Sequence, residues 1–262
     1  MNSNLKIATP VSTIFHATAH LAEILDLSDV LEWRELSRPV ASSLQRIYHC
    51  DWSLISPWSD RELQEITNII INNKPDLVTF HLHACYVNPP LENGMFMPIG
   101  KPMTREEMFG HARTNLQNLK EKLGKSLPWA VENNNFYPTG AYTEVTDGGF
   151  ITELTNELGL NILLDLAHAQ ITAVNQNITL EEYLGFLDLE KVVQLHLSRP
   201  GRDAKDPNLA KDFHEVLEDD DWVLVKSIMP RCVNLQYVTI EYYKNDANLI
   251  TMLKKLREVI TK

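Results

Sequence analysis

The chain has 262 residues and a mass of 30.0 kDa, with 44% hydrophobic and 23% charged residues, a composition that covers a large packed core and excludes a disordered or low-complexity polypeptide. Its formal charge of −11, with lysine and arginine scattered, removes the global cationic surface on which nonspecific nucleic-acid affinity depends. The opening MNSNLKIATPVS has no apolar signal core and no run reaches the ~18 apolar residues that span a bilayer, so a cytoplasmic location without a membrane is expected.

In chain order, short apolar runs read as strands at LKIAT (5–9), VLEWR (30–34) and QRIYH (45–49). A helical pattern follows over 59–73, started by Ser59 or Asp60, and a strand at LVTFH (77–81). The next helix covers 104–124, opened by Thr104 with Glu107 as a capping box and stopped by Gly124, and leads to the strand PWAVE (128–132). A helix over 150–159, stopped by Gly159, precedes NILLD (161–165). Thr179 with Glu182 opens a helix over 179–187, before VVQLH (192–196). The last strand, YVTIE (237–241), is followed by a helix over 245–260. The acidic LEDDDW (217–222) reads as a solvated helix end.

Eight strands alternating with helices imply a parallel sheet, and both the number and the length fit a single (β/α)8 barrel, which uses about 250 residues. No linker divides the chain, so one domain is expected over 1–262. Cys50, Cys85 and Cys232 are odd in number and lack CxxC spacing, which excludes a disulfide framework and a zinc knuckle and leaves reduced core thiols. Two long connections follow strands: 84–103, with four prolines and an Asn-Gly turn, and the polar 197–213. Such loops shape or cover a pocket.

The last six strands end on ligand-type residues: His49, His81, Glu132, Asp165, His196 and Glu241. In a barrel these ends form the catalytic mouth. Glu132, Asp165, His196 and Glu241 make a core set suited to Mn, Fe, Zn or Mg, with positions open for substrate. Three carboxylates on adjacent strand ends are costly without a balancing cation. His49 and His81 join a bridging Glu132 to hold a second ion, and His168, Asp212 and His214 hold a third. His16, His20, Glu32 and Glu35 read as structural residues of helix or rim.

VENNNFYP, LLDLAHAQITAVN, QLHLSRPG, DFHEVL and TIEYYK resemble strand-end motifs of the xylose isomerase-like barrels, over residues 45–243. The ligand pattern of endonuclease IV, the trinuclear member, carries over to His49, His81, Glu132, Asp165, His168, His196, Asp212, His214 and Glu241. The stretch from Asp165 through AHAQITAVN to LEEYLGFLDLEKVVQLHLSRPG resembles the multinuclear non-haem iron-dependent oxidases of methanobactin biosynthesis. That resemblance implies two or three divalent ions, iron before zinc or manganese. It also implies dioxygen chemistry on cysteine-containing peptides, often with a partner protein that presents the substrate.

The reading that follows is an iron-dependent oxidase of a thiol or peptide substrate, with Glu132, Asp165 and Glu241 as catalytic carboxylates. A sugar isomerase or epimerase using one Mn or Mg at the core set is an alternative, with His168 and Arg202 where epimerases of this superfamily place substrate-binding residues. A phosphodiesterase like endonuclease IV ranks lower because the chain is acidic. A noncatalytic metal-retaining scaffold is the fourth reading, disfavoured because drift would be expected to lose a ligand. No GxSxG elbow, Walker loop or GxGxxG is present.

Overall fold

The eight apolar runs are the eight strands of one closed parallel barrel. The computed structural model describes residues 5–35, 37, 40, 43–124 and 127–261. Among them the strands are β1 (Lys6–Pro10), β2 (Val30–Trp33), β3 (Gln45–Ser53), β4 (Leu77–His81), β5 (Leu91–Glu92), β6 (Met95–Phe96), β7 (Trp129–Glu132), β8 (Asn161–Asp165), β9 (Val192–Leu197), β10 (Arg199–Arg202), β11 (Ala210–Glu215) and β12 (Tyr237–Ile240). The barrel closes in the order β1-β2-β3-β4-β7-β8-β9-β12 and back to β1, while β5-β6 and β10-β11 are separate hairpins.

The helices are α1 (Thr13–Ala17), α2 (Leu21–Leu27), α3 (Asp60–Asn73), α4 (Arg105–Leu123), α5 (Gly148–Leu158), α6 (Leu166–Gln176), α7 (Leu180–Gly185), α8 (Asp219–Ile228) and α9 (Asp246–Ile260). Capping boxes form at Ser59 with Glu62, Thr104 with Glu107 and Thr179 with Glu182. Gly124 and Gly159 end α4 and α5 in the left-handed region, where a Cβ is costly. Sequence periodicity leaves α1, α2, α6 and most of α8 unmarked. The first two are short, and α6 runs straight out of β8, so its apolar face merges with the strand's. LEDDDW holds the acidic first turn of α8, whose macrodipole favours negative charge there.

Side chains alternate between the barrel interior and the helix layer with a period of two. Ala8, Val30, Ile47, Leu77, Ala130, Val193 and Tyr237 form an apolar floor inside the barrel. Two residues on from five of these stand Glu32, His49, Thr79, Glu132 and Thr239, all buried. Arg34, Asp51, His81 and Glu241 follow after two more. The out-facing residues, such as Leu31, Tyr48, Phe80, Val131, Leu164 and Ile240, join the large core between barrel and helices. The same alternation thus builds the core and lifts the ionisable side chains to the mouth.

Both long connections fold into hairpins. Asn93 and Gly94, at φ 50° and 76°, turn β5 into β6. The polar segment 197–213 holds β10 and most of β11 rather than an open loop, and Asn175 of α6 pins it by accepting from Ala210 N at 2.8 Å and donating to Ala210 O at 3.0 Å. Lys211 then links the two hairpins, its Nζ 2.9 Å from Asn93 O and 2.8 Å from Asp203 Oδ2. The three cysteines are buried free thiols. No helix among the described residues is long and apolar enough to cross a membrane.

Candidate metal centre

Two sets of ligand-type side chains converge at the carboxyl ends of the strands. In each of them, His49, His81, Glu132 and Glu132, Asp165, His196, Glu241, the candidate ligand atoms lie within 4.8 Å of one another. Glu132 at the end of β7 belongs to both. Its Oε2 is 2.8 Å from His81 Nδ1 and 3.6 Å from His49 Nε2, and its Oε1 is 3.5 Å from His196 Nδ1. His196 Nδ1 also lies 3.0 Å from Glu241 Oε2 and 3.9 Å from Asp165 Oδ2.

A third group assembles beside them. Asp212 Oδ2 lies 3.5 Å from His168 Nε2 and 3.4 Å from His214 Nε2, and His214 Nε2 is 3.4 Å from Glu241 Oε1. His214 holds φ 46°, a left-handed backbone that a residue with a Cβ adopts only at some cost. The six strand-end residues, the Asp-x-His pair and His168 therefore come together, nine in all. Arg202 does not: at the exposed end of β10 it donates to Asn208 O at 3.2 Å.

Local structure fixes which ring nitrogen faces the centre. Asp165 is the N-cap of α6, accepting from His168 N at 2.7 Å, so carboxylate and imidazole sit together on the first helical turn. His168 Nδ1 lies 2.9 Å from Asn133 O, and since a carbonyl only accepts, Nδ1 is protonated and Nε2 turns to Asp212. Asn133 also clamps the ends of β7 and β8 by accepting from Asp165 N at 2.7 Å and donating to Asp165 O at 3.0 Å. His49 Nδ1 is 2.5 Å from Thr79 Oγ1, which leaves Nε2 toward Glu132.

Burial and mutual charge set the protonation pattern. Burial acts to raise Glu132, but the imidazoles of His81, His49 and His168 outweigh it and hold its carboxyl well below the usual carboxylate range. Glu241 is held well below that range too, where His214, His196 and Arg34 overcome burial. Asp165 goes the other way: burial, with Glu241 and Glu132 adding to it, raises its pKa to about 7. His168 and His196 are raised well above the usual imidazole value despite burial, by the surrounding carboxylates. Burial, then Arg34 and His81, lowers His49 well below it.

These side chains fit a divalent cation. His49 Nε2, Glu132 Oε1, Asp165 Oδ2 and Asp212 Oδ1 are buried without a hydrogen-bond partner. Each such group costs about 1–3 kcal/mol. Imidazole nitrogens and carboxylate oxygens together suit iron, zinc or manganese, and cations bound at these sets would answer the four orphans between them.

Several neighbours lie outside the sequence-based set. Glu32, read from sequence as structural, points into the barrel and its Oε2 lies 3.0 Å from His196 Nε2. Arg34 Nη2 and Tyr243 OH donate to Glu241 Oε1 at 2.6 and 2.7 Å, turning Oε2 to the centre. A cavity of about 630 Å³ opens here, lined by His16, Arg34, Ser37, His214 and Tyr243. A second, of about 330 Å³, is walled by Trp52, Trp58, His83, Pro89 and Phe96. Asp51 lines both. The signal for Glu32, Arg34 and Asp51 was present in the period-two alternation from Val30 and Ile47. Cavity walls drawn from separate loops leave no such pattern.

Residues 53–261 match the family model described as RiPP precursor modification enzyme MbnB/TglH/ChrH. Among curated relatives, a UPF0276 protein of Psychromonas ingrahamii is 28% identical over 140 residues, covering 53% of this chain and 47% of that protein. One from Shewanella loihica is 23% identical over 203 residues, covering 78% and 68%. The chain thus matches about half the length of the Psychromonas relative, at 47%. Among solved structures, a xylose isomerase domain containing protein from Salmonella typhimurium superposes with TM-score 0.63 at 10% identity, covering 100% of this chain and 98% of the other. The 3-keto-D-glucoside 4-epimerase of E. coli gives 0.60 at 11% identity, covering 98% and 100%. At such identities the likeness is one of fold, a xylose isomerase-like (β/α)8 barrel, as the strand-end motifs implied. On the family match, the chain belongs to the MbnB/TglH/ChrH family.

Proposed function

We propose that this chain is a metal-dependent enzyme with a di- or trinuclear centre, an iron-dependent oxidase of a thiol or peptide substrate. The observation that carries the reading is Glu132 standing in both ligand sets, because a carboxylate between two sets is what two adjacent cations share. His49 Nε2, His81 Nδ1 and Glu132 would hold one ion; Glu132, Asp165, His196 Nδ1 and Glu241 a second; His168 Nε2, Asp212 and His214 Nε2 a third. Bound iron would supply redox chemistry with dioxygen at open coordination positions. Membership in a family described as acting on RiPP precursors supports a peptide substrate.

The chain's own residues divide the remaining work. Glu132, Asp165 and Glu241 would supply the negative charge that balances the cations, Asp165 giving up its proton to do so, since without metal burial raises its pKa to about 7. Arg34 and Tyr243 orient Glu241. Burial, then His81, lowers His83 to about 3, so its ring is a neutral surface tilted against Phe96 in the smaller cavity. The two cavities meet at Asp51 and offer room on both sides for residues flanking a modified one. A partner protein that presents the peptide, and a cytoplasmic location in which the thiols stay reduced, belong to the same reading.

One observation favours the isomerase as second reading: Glu132, Asp165, His196 and Glu241 alone can hold a single Mn or Mg. The two are separated by supplying Fe(II), air and cysteine-containing peptides to the full chain and following peptide mass. An iron- and oxygen-dependent mass change is expected. No change with iron, together with isomerisation of a keto sugar under Mn, would overturn the oxidase.

A further inference from the structure

Among the described residues, several chemical groups near the centre have no part in the ligand sets, among them the neutral ring of His83, the guanidinium of Arg34 and the carboxylate of Glu32. Glu32 carries an inference furthest. It projects from β2 across the barrel, 1% exposed, into a pocket of side chains from β9 and β12. Its Oε2 accepts from Gln194 Nε2 at 2.5 Å and from Thr239 Oγ1 at 3.4 Å and lies 3.0 Å from His196 Nε2.

The hydrogen-bond count inside this pocket decides the state of the His196 ring. Gln194 Nε2 is also 3.1 Å from His196 Nε2, and a proton on that amide aimed at the ring would make Nε2 an acceptor. The amide has two protons, however, and both are committed, one to Glu32 Oε2 at 2.5 Å and one to Thr239 Oγ1 at 2.9 Å. Flipping the amide would set its carbonyl against the Glu32 carboxylate. His196 Nε2 is thus left with an acceptor as its partner, and it must donate. The opposite nitrogen, Nδ1, then faces Glu241, Glu132 and Asp165 at 3.0, 3.5 and 3.9 Å.

We propose that Glu32 is a positioning residue for the core metal set: it holds the Nε2 proton of His196 and so presents the Nδ1 lone pair to the ion. The assignment rests on the metal-binding reading of the centre. A carboxylate behind a metal-bound imidazole fixes ring orientation and raises the ring's basicity, and loss of such a partner weakens metal affinity about 10–100-fold. Because Glu32 touches His196 and neither His49 nor His81, the effect belongs to one ion.

The test titrates zinc into the full chain, against a chromophoric competitor, for the parent and for Glu32→Ala and Glu32→Gln. The expected result is one zinc weakened about 10–100-fold in Glu32→Ala, with the ion at His49, His81 and Glu132 retained within about threefold. Glu32→Gln preserves shape and a carbonyl acceptor and should lose less than alanine. Long-range ¹H–¹⁵N spectra of the zinc-loaded parent should show His196 protonated at Nε2, and Glu32→Ala should lose that single tautomer. Equal weakening of every zinc in step with the melting temperature would mean a merely structural role and overturn the proposal, as would unchanged affinities in both variants. A parent chain that takes up no zinc would instead refute the metal reading itself, and this assignment with it.

Discussion

Replacing Asp165 with asparagine should stabilise the metal-free protein above pH 7 while removing an ion from the core set. Asp165 is fully buried; its Oδ1 caps α6 through His168 N at 2.7 Å, and its Oδ2 has no partner. Asparagine keeps the cap through its carbonyl. Burial, aided by Glu241 and Glu132, raises the Asp165 pKa to about 7, against roughly 3.9 in an unfolded chain. With the folded value raised, the carboxyl's stabilising contribution is complete below pH ~4 and is lost as pH rises through 7. The interval between the two values corresponds to on the order of 4 kcal/mol at pH 8, an upper figure because the neighbouring imidazoles share the strain. At about 2–4 °C per kcal/mol for a chain of this size, Asp165→Asn should melt roughly 5–15 °C above the parent in chelator at pH 8, with a smaller gap at pH 5. The assay is calorimetry at both pH values, with metal content measured alongside. A variant that melts below the parent by the same amount at both, or that keeps the parent's metal complement, would refute the reasoning.

Four further outcomes follow from the same geometry. Glu132→Gln should lose both ions of the two sets it joins, whereas His49→Ala should lose one, as counted by elemental analysis after desalting. Removing metal with a chelator should lower the melting temperature, since an ion held at 100-fold excess over its Kd contributes about 2.7 kcal/mol. Lys211→Ala releases the tie between the hairpins at Asn93 and Asp203, so limited proteolysis within 91–96 should speed up with metal content unchanged. A Cβ at Gly148 would stand 2.6 Å from Phe186 Cβ, so Gly148→Ala should destabilise by about 1–3 kcal/mol in a thermal melt.

The barrel was legible because its strands are short apolar runs, the last six of which end on a His, Asp or Glu that does not belong in a core. Asp165 illustrates it: NILLD has no surface on which to place its aspartate except the mouth. The capping boxes at Thr104 and Thr179 were equally plain, being local chemistry written within four residues. What stayed hidden is interaction across the barrel. Glu32 and His196 lie 164 positions apart, and nothing local to VLEWR says that its glutamate meets an imidazole. Arg34 and Tyr243 likewise meet at Glu241 from opposite ends of the chain. The hairpin that carries Arg202, six residues past His196, was equally invisible: the arginine side chain is exposed on β10 and donates to Asn208 O. The polar composition of 197–213 pointed to a loop because a two-stranded hairpin outside the barrel needs no apolar face.

The central claim, that a shared Glu132 marks a multinuclear iron centre, is tested most directly by elemental analysis of protein purified without added metal, with absorption spectra before and after exposure to air. Two or three irons per chain and a band that changes with oxidation are the result expected. About one Mn, Mg or Zn per chain with no chromophore would contradict it and return the core set to single-ion chemistry, and three zincs would point to phosphodiester hydrolysis instead.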